Sequence, residues 1–275
     1  LHRSDALPPV TQLVPLAAIL TSLGSDYAAA ATTEKVQRWY WCGVLGELYG
    51  GAIETRFAKD FPEMLDWVAG QGPEPSTVYE ADFRPNRLDT MRTRNSAAYK
   101  GLYTLLLREQ AKDLRTGQPI DDAIFYDDAI DIHHVFPAIW CEANRIGPDR
   151  ANSILNKTPQ TARTNRVIGG AAPSTYLPKL ERAYLKSQGA SERSGGVNAA
   201  VAMDELLRSH RINPELLRSD AFDAFYEQRR RDLLELIAAV IGKPIAIERP
   251  PPDGEAALPQ IDEDDSEANE LDVAA

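Results

Sequence analysis

Two cysteines in 275 residues, Cys42 and Cys141, are too few for a disulfide framework or a cysteine-built zinc site. They are expected to be reduced, buried thiols of a cytoplasmic protein. No apolar run approaches the ~20 residues that a membrane-spanning helix needs, so no membrane partner is expected. A repeat at a period of about 20 to 50 residues, the mark of a solenoid or propeller, is also missing. The opening Leu1-His2-Arg3 has neither an initiator Met nor the pattern of a signal peptide, and suggests a piece of something longer. Histidine is scarce: His2, His133, His134 and His210.

Charge of one sign is lacking only locally. The chain carries −11 with a pI near 4.9, a balance that at first argues against a polyanionic partner. Residues 251–275, however, hold nine acids and no Lys or Arg, which leaves −2 for the first 250 residues. Between Ala129 and Ala190, eight bases stand against four acids. The acidity therefore belongs mostly to a tail rich in Pro and acids from 249 to 275, expected to be disordered and to compete with DNA for a basic surface.

The chain is expected to be mainly α with one short β-β-α insertion. Residues 1–128 form a helical flank, with Val36, Trp39, Tyr40, Val44 and Leu48 at helical spacing up to Gly50-Gly51. Asp60 caps a short helix bearing Phe61, Met64, Leu65 and Val68. An interrupted stretch follows between Gly70 and Asn95, and then a helix with Tyr99, Leu102, Tyr103, Leu106 and Leu107. These aromatics are expected in the core. Arg92 and Arg94 suit either phosphate contact or a solvated loop.

The texture changes across 129–190. A strand over 129–136 stops at Pro137, and a brief helix spans 138–144. A second strand is expected over 153–158, and a helix over 161–167 ends at Gly169-Gly170. The remainder, 191–248, reads as a helical region packing on this core. Its long terminal helix carries Phe222, Phe225, Tyr226, Leu233, Leu236, Ile237 and Val240 on one side, and Gly242 and Pro244 stop it.

His133 and His134 are adjacent, so strict strand alternation sends the rings to opposite faces. Both address one site only if the backbone bends, which Pro137 allows. Asn156 follows on the second strand segment, and Asn165-Arg166 comes nine residues later on the helix. The strings I-H-H-V-F-P and S-I-L-N-K, followed by N-R-V-I and P-S-T-Y-L, resemble the HNH, or ββα-metal (His-Me finger), nucleases. Within that superfamily the succession resembles the DUF1524 domain of GmrSD-type restriction proteins of bacteria, which attack modified or foreign DNA. More loosely, R-W-Y-W near Trp39 and D-A-F-D-A-F-Y-E-Q-R resemble the helical flanks of this family, so that the likeness runs over about 30–245. The D-G-Q-Q-R motif of the partner DUF262 nucleotide-binding domain is absent, so the chain resembles the nuclease half alone. The phosphorothioation-linked nicking effectors are the nearer likeness within the family.

The resemblance implies a metal-dependent DNA endonuclease acting in phage defence. His134 matches the general base, a role that neutral imidazole fills near pH 7. Asn156 matches the Asn that braces the loop carrying the base. His133 and Asn165 match the ligands of one divalent metal ion, Mg²⁺ or Mn²⁺. Lys157, Arg163 and Arg166 are the expected DNA phosphate contacts. Asp131 is open to two readings, a partner fixing the His133 ring or a solvated acid. Arg229-Arg230-Arg231 either extends the phosphate track or forms a solvated helix face. The alternative from another class is a DNA-binding or modification-sensing module with an inactive finger. A zinc protease is disfavoured, because H-E-x-x-H is absent.

Overall fold

Helix dominates wherever apolar side chains recur at three- and four-residue spacing. The computed structural model describes residues 10–51, 53–93, 96–120, 130–189 and 198–245. The side chains of Val10, Ile130 and Asp131 are not described, so neither reading of Asp131 is addressed; His2, Arg94 and the acidic tail lie outside the described residues. Before the sheet come α1 (Val10–Leu23), α2 (Ala30–Leu45), α3 (Ile53–Val68), α4 (Ser76–Glu80), α5 (Arg87–Thr90) and α6 (Ala97–Arg108). The sheet region holds β1 (Ile130–His134), α7 (Ala138–Ala143), α8 (Pro148–Asn152), β2 (Lys157–Thr161) and α9 (Ala162–Ile168). After it run α10 (Pro173–Ser187), α11 (Ala199–Ser209), α12 (Pro214–Arg218) and α13 (Phe222–Ile241).

The chain divides into two compact units, neither continuous in sequence. One comprises the described residues within 3–87, 93–102 and 234–275; the other takes Leu88–Arg92 and the described residues of Tyr103–Leu233. The boundaries expected at 128/129 and 190/191 fall outside or at the edge of the described residues. Helices α6 and α13 each begin in one unit and end in the other.

In the first unit α1, α2, α3 and α4 pack on one another. Val36, Trp39, Val44 and Met64 fill its core, as the spacing foretells, joined by Tyr49, while Tyr40 and Leu48 are half-buried. A Cβ on Gly101 would stand 2.6 Å from Val44, so glycine lets α6 approach α2 closely. Asp60 is not the expected cap. It lies within α3, fully buried, where its carboxylate accepts from the Tyr49 and Thr77 hydroxyls. Burial together with that carboxylate pushes the Tyr49 phenol well above its ordinary range. Both cysteines are free and buried as expected, with burial pushing each thiol up to about 11.

The second unit contains the sheet. β1 and β2 pair antiparallel, with Ile132 opposite Pro159, His133 opposite Thr158 and His134 opposite Lys157. The second strand lies four residues later than expected at its start. Ser153 is used as a cap, its hydroxyl accepting from the Leu155 amide, and 154–156 form a single 3-10 turn. Pro159 is tolerated inside β2 because every strand of a two-stranded sheet is an edge. Thr161 then caps α9 through the Thr164 amide, and α9 packs on both strands. Gly169, at φ +56°, ends α9 in a conformation costly for other residues. The region after Asn198 is helical as expected, but α11 and α12 precede the terminal helix as separate elements. Asn198 and Asn213 cap them.

Candidate functional site

The connection after β1 is held at each polar backbone atom of Val135 and Phe136. The Val135 amide donates to the Asn156 carbonyl at 2.7 Å, and the Tyr176 hydroxyl donates to the Val135 carbonyl at 2.8 Å. The Phe136 amide donates to Asn156 Oδ1 at 2.8 Å, while Asn156 Nδ2 donates to the Phe136 carbonyl at 2.9 Å. Nδ2 also reaches the Ala151 carbonyl at 2.9 Å. Asn156 is 0 % exposed, so these bonds satisfy groups with no access to water. The Phe136 ring packs on Trp140, Phe222 and Phe225, anchoring the connection from its other side. The backbone following the histidine pair is therefore fixed by an amide, a phenol and an aromatic cluster.

His134 is half-buried on the last residue of β1. Its Nε2 lies 3.0 Å from Asn152 Oδ1 at the end of α8. An amide oxygen only accepts, so Nε2 carries a proton, and in the neutral ring Nδ1 then carries the lone pair. Asn152 escaped the sequence reading because no spacing links it to His134. It is brought there by Gly147-Pro148, which starts α8, and by the Asn156–Ala151 bond that secures its end.

His133 is half-buried on β1 opposite Thr158, and Asn165 is half-buried on α9. The strand–strand–helix packing thus brings the elements carrying His133, His134, Asn156 and Asn165 into one small unit. Among the described residues no three His, Cys, Asp or Glu side chains gather as a metal-binding group.

The three expected phosphate contacts separate. Arg163 and Arg166 are exposed on α9. Lys157 is only 7 % exposed, and its ammonium donates to the Arg92 carbonyl at 2.9 Å, which turns its charge inward. Arg92 itself pairs with Asp149 at 3.0 Å. The Arg229-Arg230-Arg231 run is neither a track nor a uniform solvated face. Arg229 is 1 % exposed and donates to the His210 and Lys157 carbonyls at 2.7 and 2.9 Å. Burial lowers its guanidinium to about 9, still protonated at neutral pH. Arg230 grips Asp89, and Arg231 is exposed beside Gln228.

Two buried polar groups behind the sheet were also missed. His210 is 0 % exposed, its Nδ1 2.8 Å from the Thr158 hydroxyl and its Nε2 2.6 Å from the Lys112 carbonyl. A carbonyl requires an N–H, so Nε2 is protonated and Nδ1 accepts from Thr158. Burial foremost, reinforced by Arg229, lowers His210 to about 4, against the raising effect of Lys112 and Asp113. Asp113 is also 0 % exposed, and accepts from the Thr161 and Thr164 hydroxyls at the start of α9 at 2.9 and 2.6 Å. Burial alone would raise its carboxyl, but those bonds and the Thr116 hydroxyl hold it below the usual range.

No family model matches this sequence. Among curated proteins, it is similar to an uncharacterized protein of Methanocaldococcus jannaschii, 28% identical over 226 residues. The match covers 76% of this chain and 37% of that protein, so the chain spans little more than a third of the relative's length.

Proposed function

We propose that the chain is an HNH-type nuclease that nicks DNA by metal-dependent phosphodiester hydrolysis, with His134 as general base. The observation that carries this reading is the full bracing of residues 135–136 by Asn156 and Tyr176 directly after a histidine whose Nε2 is already occupied. Such an arrangement holds one imidazole with its basic nitrogen uncommitted to Asn152, on backbone that does not need to reorganise. That is what proton abstraction from an attacking water requires.

In this reading Asn152 fixes the tautomer and Asn156 fixes the loop. His133 and Asn165 would hold the divalent ion, Mg²⁺ or Mn²⁺. One imidazole nitrogen and one amide oxygen are a sparse, uncharged donor pair, suited to an ion that keeps most of its water. Bound there, the ion supplies charge neutralisation at the scissile phosphate and the leaving oxygen. Arg163 and Arg166 approach phosphates, while Lys157 positions the Arg92 segment. One such site cuts one strand per engagement.

Foreign or phosphorothioated DNA is the proposed substrate class, in a bacterial defence setting. The proposed partner is an N-terminal DUF262 nucleotide-binding domain, for which the greater length of the archaeal relative leaves room. The sparse donor pair also favours a second reading, a DNA-sensing module that binds without cutting. Supercoiled plasmid incubated with Mg²⁺ or Mn²⁺, with an EDTA control, separates the two. Metal-dependent relaxed circles that vanish in His134→Ala support the nuclease; intact plasmid with retained DNA binding supports the sensor.

A further inference from the structure

Cationic side chains in the unit that holds the sheet differ in their partners. Arg92, Arg150, Arg218 and Arg230 each find a carboxylate at 3.0 Å or closer. Lys179, Arg182 and Lys186 on α10 are exposed, and among the described residues none makes an ion pair. Their spacing of three and four residues puts them on one helix face. Lys179 to Lys186 covers ~10 Å of axis, comparable with the advance of three nucleotides along one strand at ~3.4 Å each.

That face of α10 is free of acids. Glu181, the only acid on the helix, is turned away and held by Arg218 at 2.8 Å. Asp220 accepts from the amide and hydroxyl of Ser174 at the opposite end from Lys186. The basic face is also fixed relative to the histidine pair. Tyr176, on the same helix one turn before Lys179, donates to the Val135 carbonyl next to His134. Helix α9, with exposed Arg166, packs against α10.

We infer that this face of α10 is a phosphate rail that seats one backbone of duplex DNA and leads it toward His134. The inference rests on the proposal that DNA is the substrate, and it names a surface which that proposal leaves unassigned. Lysine and arginine without carboxylate partners bind phosphate by releasing its counterions, with no base reading. The rail therefore supplies affinity and direction, and no sequence preference.

The test is the full chain with Lys179→Gln, Arg182→Gln and Lys186→Gln combined. A control combines Lys59→Gln, Arg84→Gln and Arg231→Gln, an equal charge change at exposed positions elsewhere. Duplex affinity is measured by anisotropy from ~50 to ~200 mM salt in EDTA, and nicking is measured separately at saturating DNA with metal. Losing three phosphate contacts lowers the slope of log K against log salt by about 2.7 and weakens binding at least tenfold at ~100 mM. The control is expected to change the slope by less than about 1. Equal losses in both variants, or an unchanged slope in the rail variant, overturn the rail. Wild-type binding that the rail variant loses, with no nicking under either metal, upholds the rail and removes the nuclease reading. Nicking that persists with an unchanged slope does the reverse.

Discussion

Two of the histidines at the short sheet, His134 and His210, sit in opposite surroundings. His134, at the end of β1, keeps Nδ1 clear of the bond that Nε2 makes to Asn152, and is half-buried. His210, held behind β2, has one nitrogen on Thr158 and the other on the Lys112 carbonyl, with no exposure to water. In the proposed reading the first ring is the one that takes a proton. The second is a neutral spacer whose hydrogen bonds tie α11 to β2. The difference teaches that a histidine's surroundings follow from where the fold places it: His134 is half-buried beside Asn152, whereas His210 is sealed between Thr158 and Lys112.

Exchanging each ring for alanine is the sharpest way to break this comparison. His134→Ala is expected to lower plasmid nicking by about 10³-fold while urea unfolding shifts by less than about 1 kcal/mol. His210→Ala is expected to do the opposite. It opens a cavity and strands the Thr158 hydroxyl and Lys112 carbonyl, costing about 4 kcal/mol with nicking by the folded fraction retained. Equal activity losses in the two variants would erase the distinction.

Asn156→Ala comes next, because it removes the bonds to the Phe136 amide, the Phe136 carbonyl and the Ala151 carbonyl together, leaving the Phe136 carbonyl only the Cys141 thiol. A destabilisation of about 4 kcal/mol is expected from urea midpoints, accompanied by loss of nicking. A loss under 1 kcal/mol would show that the loop is braced elsewhere.

Acid is expected to destabilise the fold through His210. Its folded pKa of about 4 lies below the ordinary 6.5, so the stabilisation is full above about pH 6.5 and declines as pH falls toward 4. Roughly 3 kcal/mol is at stake over that window. Comparing urea midpoints of wild type and His210→Gln from pH 7 to 4 isolates this part from the carboxylates. Asp113, with its carboxyl held low, adds a separate loss at lower pH that both proteins share. Parallel curves down to pH 4 would contradict a neutral buried ring.

The smallest effect is expected at Asn152. Replacing it with alanine releases the Nε2 proton of His134 and should lower kcat about tenfold, with DNA affinity and stability little changed. Asn152→Asp keeps an acceptor oxygen and is expected to recover most of that loss. An alanine variant that weakens DNA binding instead would make Asn152 a substrate contact.

Much of this site was legible because its residues are close in sequence or carry local signals. The His133-His134 pair stops at a proline, Thr161 caps a helix, and Gly169-Gly170 ends it. Asn156 stood out through the resemblance, and its buried amide bonds Phe136 and Ala151. Asn152, Tyr176 and His210 gave no comparable signal, since their partners lie 18, 41 and 52 residues away. The displacement of β2 has a local cause, because Ser153 and Asn156 spend their side chains on turns and loops. Asp60 misled for the opposite reason: an acid beside a helical pattern resembles a cap until Tyr49 and Thr77 arrive from elsewhere.

By itself the sequence determined a mainly helical chain interrupted by one short β-β-α segment, because periodicity, caps and helix stops are set by neighbours along the chain. It also determined which short segment concentrates histidine, asparagine and base. Only the tertiary structure decided which cations are available. Lys157, Arg229 and Arg230 are drawn inward to carbonyls or a carboxylate, while Arg166, Lys179, Arg182 and Lys186 face water. The physical reason is that a charge is defined by residue type, whereas its neutralisation depends on groups brought near by folding.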